Sequence, residues 1–518
     1  MPPPPDAPPY KPSTASLPPL DSSMELSRKL LPSFVAIDFY LPYLVDGMKA
    51  TQFYGTGFIV SKDPPLIVCD RDTIPISLGD IMITFANSII IPGKLLFLHP
   101  FYNFVIITYD PSLIGETPVD AIEFSDTELN QGDEVYFTGM GNDHSVNTKK
   151  TNISGVSNIG TRECSPPRWR AMNVEGVKID DPFNSQGGLL TTEDGKVQAL
   201  WVSYSSQNEK GKDISFMSGL PTKLVKPAVE HFLNGDKVVF KGLDVEFWTM
   251  RIAAARTLGL TDEWVKKVEQ SGSTRHTLLY VLSILDERSA SAKVLNVGDV
   301  VLSINGRLVT RMSELMSIHD SDKESVDMVI LRNGEEMQVT VPMNQFSDYE
   351  TTRVVGWQGA LIQRPYKAVL EQVRNVPDGV YVSCTLYGSP ASNVLRPGVW
   401  IVEVNGKPIH DLDSFLNVVH AHESELMRRR RPSYIPPVKR SKEEQARHEE
   451  SFSEGDTLRA DDTDEDDDDN DEGYIRIKTV SRNETVRVAA LKLDLHYWDT
   501  WQLVQDDKRV CGWVCEQA

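Results

Sequence analysis

A ten-residue pattern occurs twice in this chain. Val297-Gly298-Asp299-Val300-Val301-Leu302-Ser303-Ile304-Asn305-Gly306 is answered by Pro397-Gly398-Val399-Trp400-Ile401-Val402-Glu403-Val404-Asn405-Gly406. Both Gly298 to Gly398 and Asn305 to Asn405 are an offset of 100. Apolar residues leading into Asn-Gly specify a strand and a tight hairpin turn, because those two residues accept positive φ. Small residues precede each copy, Ser289-Ala290-Ser291-Ala292 and Gly388-Ser389-Pro390-Ala391. The apolar spacing predicts a helix after each, near Met312–His319 and Asp411–His422. The second half of the chain is therefore expected to hold two copies of one α+β module.

The first half reads differently. Short apolar stretches at Ser33–Phe39, Thr56–Val60, Leu66–Val68, Ile81–Phe85, Phe104–Tyr109 and Glu134–Thr138 alternate with turns such as Asp63-Pro64-Pro65, Gln131-Gly132-Asp133 and Asp194-Gly195. Many short strands at this spacing suit paired Greek-key barrels. Leu220–Asn234 reads as a closing helix, with Pro221 in its first turn, Gly235 at its end, and Pro227 able to kink or delay it.

The segment Asp181-Pro182-Phe183-Asn184-Ser185-Gln186-Gly187-Gly188-Leu189-Leu190, with Tyr54-Gly55-Thr56-Gly57-Phe58 upstream, resembles the trypsin-like domain of HtrA-type serine proteases. The fold class that follows is mainly β: a trypsin-like double barrel and two PDZ-like α+β modules. A gapless match puts Gln186 at the nucleophile position, Asp72 at the base and Asn103 at the orienting acid. A triad needs an imidazole base and a carboxylate to hold it. An aspartate near its ordinary value is a poor base at neutral pH, and a serine without a base is a weak nucleophile. No catalytic residue is expected, with Ser185 as the weak candidate; His99 or His144 would have to serve it as a displaced base.

The repeated pattern resembles the Gly-Asp-x-Ile-x-x-x-Asn-Gly signature of PDZ domains, with Val399 replacing the acid in the second copy. In PDZ domains a peptide adds as a strand beside the helix. The resemblance places the carboxylate loop at Val245-Glu246-Phe247-Trp248 in the first copy and Gly356-Trp357-Gln358-Gly359-Ala360 in the second. Glu246 would repel a terminal carboxylate. Both loops are otherwise plain turns.

Taken together, the chain resembles the fungal nuclear HtrA-like proteases of the pro-apoptotic Nma family, and within them the degenerate half. Further matching text is Arg28-Lys29-Leu30-Leu31-Pro32-Ser33-Phe34-Val35, Ser77-Leu78-Gly79-Asp80, Ala254-Ala255-Arg256 and Leu258-Gly259-Leu260. The resemblance implies an inactive pseudoprotease that binds peptides or protein C-termini, partners an active HtrA-like protease, and forms homo-oligomers. The alternatives are a serine endopeptidase using Ser185 and a chaperone-like holdase.

The expected domains are a Pro-rich disordered tail at 1–23, the barrel domain at 24–235, modules at 236–345 and 346–505, and a terminal tail at 506–518. The second module is interrupted at 424–472 by an insert disordered by composition. Its basic clusters Arg428–Arg431 and Lys439–Lys442 look like a bipartite nuclear import signal, or a solvated loop. Formal net charge is -21, and ten of the acids lie between Asp461 and Glu472. That run could meet basic partners such as histones or act as a solubilising segment. The folded part is not basic enough for direct nucleic-acid binding. Five scattered cysteines suit a reducing compartment, and Cys511 and Cys515 lack the partners of a zinc site. No apolar run approaches the roughly 20 residues that span a bilayer, and Met1-Pro2-Pro3-Pro4-Pro5 is no signal peptide. An intracellular protein without metal or cofactor is expected.

Overall fold

The computed structural model describes residues 10–20, 25–236, 240–271, 276–319, 323–346, 350–430, 473–506 and 508–518. The chain divides into two compact units. One contains the stretch up to Val354 with Gln363–Val376 and Gln502–Gln517; the other contains Val355–Ile362, Pro377–Trp501 and Ala518.

The first unit opens with helix α1 (Glu25–Leu30) and a closed barrel of β1 (Phe34–Tyr40), β2 (Gln52–Lys62), β3 (Pro65–Cys69), β4 (Asp80–Phe85), β5 (Ile89–Leu98) and β6 (Val105–Tyr109), ordered β1-β2-β3-β6-β5-β4. A second closed barrel follows: β7 (Glu134–Met140), β8 (Val146–Asn158), β9 (Glu175–Ile179), β10 (Gly187–Thr191), β11 (Val197–Gln207) and β12 (Asp213–Pro221), ordered β10-β11-β12-β9-β8-β7. Closure removes exposed strand edges. Side chains from both barrels, among them Phe58, Phe104, Leu189 and Tyr204, share one buried cluster.

The expected helix over Leu220–Asn234 starts later. β12 runs to Pro221, a 3-10 turn covers Thr222–Leu224, and helix α2 spans Lys226–Leu233. Pro227 lies in the first turn of α2, where its missing N–H costs nothing. The Pro-rich segment was expected to find no core. Residues 10–20 do find one: Ser13 N–H donates to Leu113 O at 3.1 Å, and Leu17 and Leu20 pack on the barrel cluster.

The first α+β module follows. β13 (Lys241–Gly242) pairs with β20 (Asn344–Gln345). The main sheet runs β14 (Val245–Arg251), β15 (Thr277–Ile284), β16 (Val300–Ile304), β18 (Ser325–Arg332), β19 (Glu335–Pro342), with β17 (Arg307–Leu308) beside β16. Helices α3 (Ile252–Thr257) and α4 (Asp262–Gln270) cover one face, while a 3-10 turn at Met312–Leu315 leads into α5 (Met316–His319).

The second unit holds β27 (Val486–Lys492), β26 (Tyr474–Ser481), β24 (Val399–Val404) and β23 (Val380–Thr385), paired in that order, with β25 (Lys407–Pro408) beside β24, and the greater part of β22 (Ala360–Gln363) and β21 (Arg353–Trp357). A short helix α6 (Lys367–Leu370) belongs to the first unit. Both Asn-Gly turns form as expected, with φ of 48° and 77° at Asn305-Gly306 and 48° and 78° at Asn405-Gly406.

Two boundaries are corrected. Helix α7 runs Leu412–Arg430, past the expected end near His422, because Leu426 continues the buried face of Phe415, Leu416 and Val419. The expected insert therefore begins later, and residues 431–472, with Lys439–Lys442 and the acidic run, lie outside the described residues. The expected tail at 506–518 contains a strand. After β28 (Trp501–Gln505) comes β29 (Trp513–Gln517), and Trp513 is buried with its Nε1–H donating to Ser77 O at 2.8 Å. No described helix is long and apolar enough to cross a membrane.

Candidate functional site

The loop after β3 carries Asp70, Arg71 and Asp72 toward β11. Residues two apart on a strand share a face, so Ser203 and Ser205 of β11 point the same way. Their hydroxyls donate to Asp72 Oδ2 at 2.8 and 2.9 Å. Asp70 Oδ2 accepts from Ser203 N–H at 3.0 Å, and Asp70 Oδ1 accepts from the Thr73 hydroxyl and N–H, both at 2.7 Å. Burial, then repulsion from Asp70, pushes the Asp72 carboxyl up to about 7. Asp70 is raised as well, chiefly by burial. The condition under which Asp72 would be a poor base, an ordinary carboxylate value, is therefore not met here.

Asn103 is fully buried and cannot orient a base. Its Oδ1 accepts from Arg71 N–H at 2.8 Å and its Nδ2 donates to Ser203 O at 2.5 Å. A carboxamide satisfies one donor and one acceptor at once; a carboxylate would face the Ser203 carbonyl without a proton to share. Arg71 is itself buried. Its guanidinium donates to His99 O at 2.9 Å and Pro75 O at 3.0 Å and stacks 4.5 Å over Trp169.

On the nucleophile loop, Ser185 Oγ is buried and has no hydrogen-bond partner among the described residues. The Gln186 N–H donates to Met140 O at 2.8 Å. In a hydrolase of this architecture an acyl oxyanion needs free backbone N–H groups aimed at it; the one at this position is already taken. Neither histidine takes up Ser185. His99 Nδ1 accepts from Tyr102 N–H at 2.7 Å and Phe101 N–H at 3.2 Å, and its ring stacks on Tyr102 at 4.4 Å. His144 sits in the β7–β8 turn with φ 61°. The structure therefore gathers Asp72 and Asn103 around Ser203 and leaves Ser185 out of that network.

The expected carboxylate loops are not open loops. Val245, Glu246 and Phe247 lie in strand β14, with Val245 and Phe247 in the core. Glu246 is gripped by Arg170, at 2.8 Å through Oε1 and 2.6 Å through Oε2. In the second unit Gln358-Gly359 forms a tight turn between β21 and β22, with φ of 49° and 79°. Trp357, Gln358 and Ala360 are fully buried. Trp357 Nε1–H donates to Glu423 at 3.1 Å, Gln358 Oε1 accepts from Asp494 N–H at 2.8 Å, and the carbonyls of Gln358 and Gly359 accept from Ala391 and Leu386 N–H. These residues build the module instead of lining a cleft. Sequence reasoning missed Ser203, Ser205, Arg71, Arg170 and Asn173. The Ser-x-Ser alternation of β11 was a readable signal; the other three depend on long-range pairing.

The PDZ-like domain family matches residues 348–423. A PDZ domain-containing protein of Schizosaccharomyces pombe is 31% identical over 514 residues, covering 98% of this chain and 46% of that protein. The pro-apoptotic serine protease NMA111 of Chaetomium globosum is 32% identical over 492 residues, 93% of this chain and 43% of that one. Its namesake in Coccidioides immitis is 35% identical over 395 residues, 75% and 38% respectively. Among solved structures, the HtrA-type protease AlgW with decapeptide is 16% identical with a TM-score of 0.40, over 62% of this chain and 98% of that one. The two closed barrels carry the fold argument by themselves. The chain spans less than half the length of these curated relatives. Over that span it is similar to the pro-apoptotic serine proteases named Nma111, and it holds two closed six-stranded barrels and a PDZ-like domain.

Proposed function

We propose that this chain is a catalytically inactive HtrA-like module that binds extended peptides or protein C-termini and regulates or scaffolds an active serine protease. The observation that carries this reading is the dismantled site: Asp72 is held by Ser203 and Ser205, Asn103 by Arg71 and Ser203, and the Gln186 N–H by Met140. None of these groups is hydrogen-bonded to Ser185 Oγ. A nuclear location is part of the proposal and rests on the basic clusters at Arg428–Arg431 and Lys439–Lys442. Fluorophosphonate labelling beside casein cleavage, on the chain and on Ser185→Ala, tests it. Silence from both folded proteins is expected. Labelling that disappears in Ser185→Ala would establish the endopeptidase reading instead, and suppression of client aggregation by both proteins alike would favour the holdase.

A further inference from the structure

β27 ends its sheet, and among the described residues β26 is its one strand neighbour. It runs Val486-Arg487-Val488-Ala489-Ala490-Leu491-Lys492, without a proline, and pairs with β26 without a register shift. A straight, open edge of this kind is a template for another strand. The end strand of the first module, β19, is blunted, since it opens on Glu335-Glu336 and closes on Pro342. β27 has neither device, and its Val486 and Val488 are 55% and 49% exposed.

The ladder to β26 settles which backbone groups this edge offers. Leu493 N–H donates to Gly473 O at 2.7 Å, and Thr485 O accepts from Ser481 N–H at 3.0 Å. In an antiparallel pair, residues that exchange hydrogen bonds alternate with residues that do not. Arg487, Ala489 and Leu491 therefore turn their backbone groups to β26, as Thr485 and Leu493 do. Val486, Val488, Ala490 and Lys492 turn theirs outward. The side chains of these four share one face, on which the Lys492 ammonium lies 6.0 Å over the Tyr474 ring. On the other face Leu491 enters the core.

Two copies of such a strand can pair about a two-fold axis, each presenting the same patch. The charges select the register. With the axis at Val488, Val488 meets Val488 and Val486 meets Ala490, so the apolar residues of both copies adjoin. Arg487 then lies opposite Ala489. Glu484, in the turn that leads into β27, comes level with Lys492 of the second copy, and the axis repeats that pair. A carboxylate has several acceptor sites and can serve more than one cation. Moving the axis to Arg487 sets that residue against itself and Arg482 against Lys492; moving it to Ala489 sets Glu484 against Asp494. Like charges directly opposite destabilise a strand pair.

We propose that β27 is a self-association edge, where a second copy of this chain adds its own β27 antiparallel with Val488 on the two-fold axis. The sheets of the two second modules then become one. This goes beyond the function above and stands whether or not the chain binds peptides.

Sedimentation of the full chain over a dilution series tests it, and a reversible doubling of mass with concentration is expected. Val488→Lys, at an exposed position, sets two ammonium groups together at the axis and should abolish the doubling. Glu484→Lys and Lys492→Glu should each weaken it about tenfold, because two attractive pairs become two repulsive ones. The double variant restores opposite charges and should return to within about threefold of the unaltered chain. Val488→Cys, in a chain carrying Cys511→Ser and Cys515→Ser at its exposed cysteines, brings two Cα atoms to about 5.5 Å. That is within disulfide reach, so mild oxidation should link the copies. No doubling in the unaltered chain, or doubling that Val488→Lys leaves intact, overturns the proposal. So does a double variant as weak as either single one, because the register then fails. Should Val488→Lys not fold, absence of the oxidised Val488→Cys dimer overturns it.

Discussion

Asp72 lies half-buried as a residue, yet its carboxylate is enclosed by Ser203 and Ser205 and faces the charge of Asp70. Its folded value near 7 is above that of the unfolded chain, about 3.9. Between those values the folded protein keeps a proton that the unfolded chain has lost. Stability from this group is therefore full below about pH 4 and is lost as pH rises toward 7. Asp46, buried and pushed up to about 6 mainly by its burial, acts in the same direction. Asp72→Asn keeps an acceptor for the two serine hydroxyls and removes the charge. It should leave stability unchanged near pH 4 and raise it on the order of 2 kcal/mol at pH 8, after discounting for solvent at its open side. Urea melts at the two pH values check this; a loss at pH 8 would mean the charge is compensated in the fold. The residue type at 186 was legible because the glycines at 187 and 188 fix the register of that stretch, and those at 72 and 103 because the apolar runs Leu66–Val68 and Phe104–Tyr109 lie beside them. Their partners were not. Nothing near Asn103 in sequence announces Ser203, a hundred residues on, and burial, which moves Asp72, is a property of the assembled barrels.

Among the elements, turns were the most legible, since Asn-Gly states its own backbone geometry. What a turn packs against was not, and glycine separates the two. Gly406 has φ 78° and nothing within 4 Å of an added Cβ. Gly359 has φ 79°, but there a Cβ would fall 2.1 Å from Ser389 Cβ. Gly406→Ala should cost about 1–2 kcal/mol, the left-handed penalty alone. Gly359→Ala meets that penalty and a clash with a fully buried serine, and should cost several kcal/mol more. Chemical denaturation of the two variants, followed by Trp357 and Trp400 fluorescence, ranks them; equal losses would show that the Gln358-Gly359 turn yields to relieve the contact. Strand β14 was misread as a loop for a related reason. Its alternation is short, Val245 and Phe247 inward with Glu246 outward, and a register shift between Glu246 and Phe247 interrupts its pairing with β15. Helix α7 was cut short because its last turns, Glu423–Arg430, are mostly polar, although Leu426 still faces the core and Glu423 holds Trp357 and Thr500.

At the level of the whole molecule, the division between strand-rich barrels and repeated α+β modules was legible from periodicity and from the offset of 100 residues. The return of Gln502–Gln517 to the first unit was not, because a side-chain contact across more than four hundred residues, Trp513 on Ser77, leaves no local trace. That return has a measurable anchor in Trp513, 8% exposed, with its indole N–H on the Ser77 carbonyl. Burying an indole and releasing it are worth about 3–5 kcal/mol in Trp→Ala substitutions. The net contribution of one hydrogen bond is nearer 1 kcal/mol. Trp513→Ala should therefore destabilise the first unit by about 3–5 kcal/mol, and Trp513→Phe, which keeps a ring and loses the donor, by about 1–2 kcal/mol. Hydrogen exchange resolves where the loss falls. Amides of β4, which follows the Ser77 loop, and of β1, which pairs with β4, should lose protection in proportion, while those of β23 to β27 keep theirs. Unchanged protection in β1 and β4 would mean that the C-terminal strand decorates the first unit without stabilising it, whereas parallel loss in both units would mean that the molecule unfolds as one.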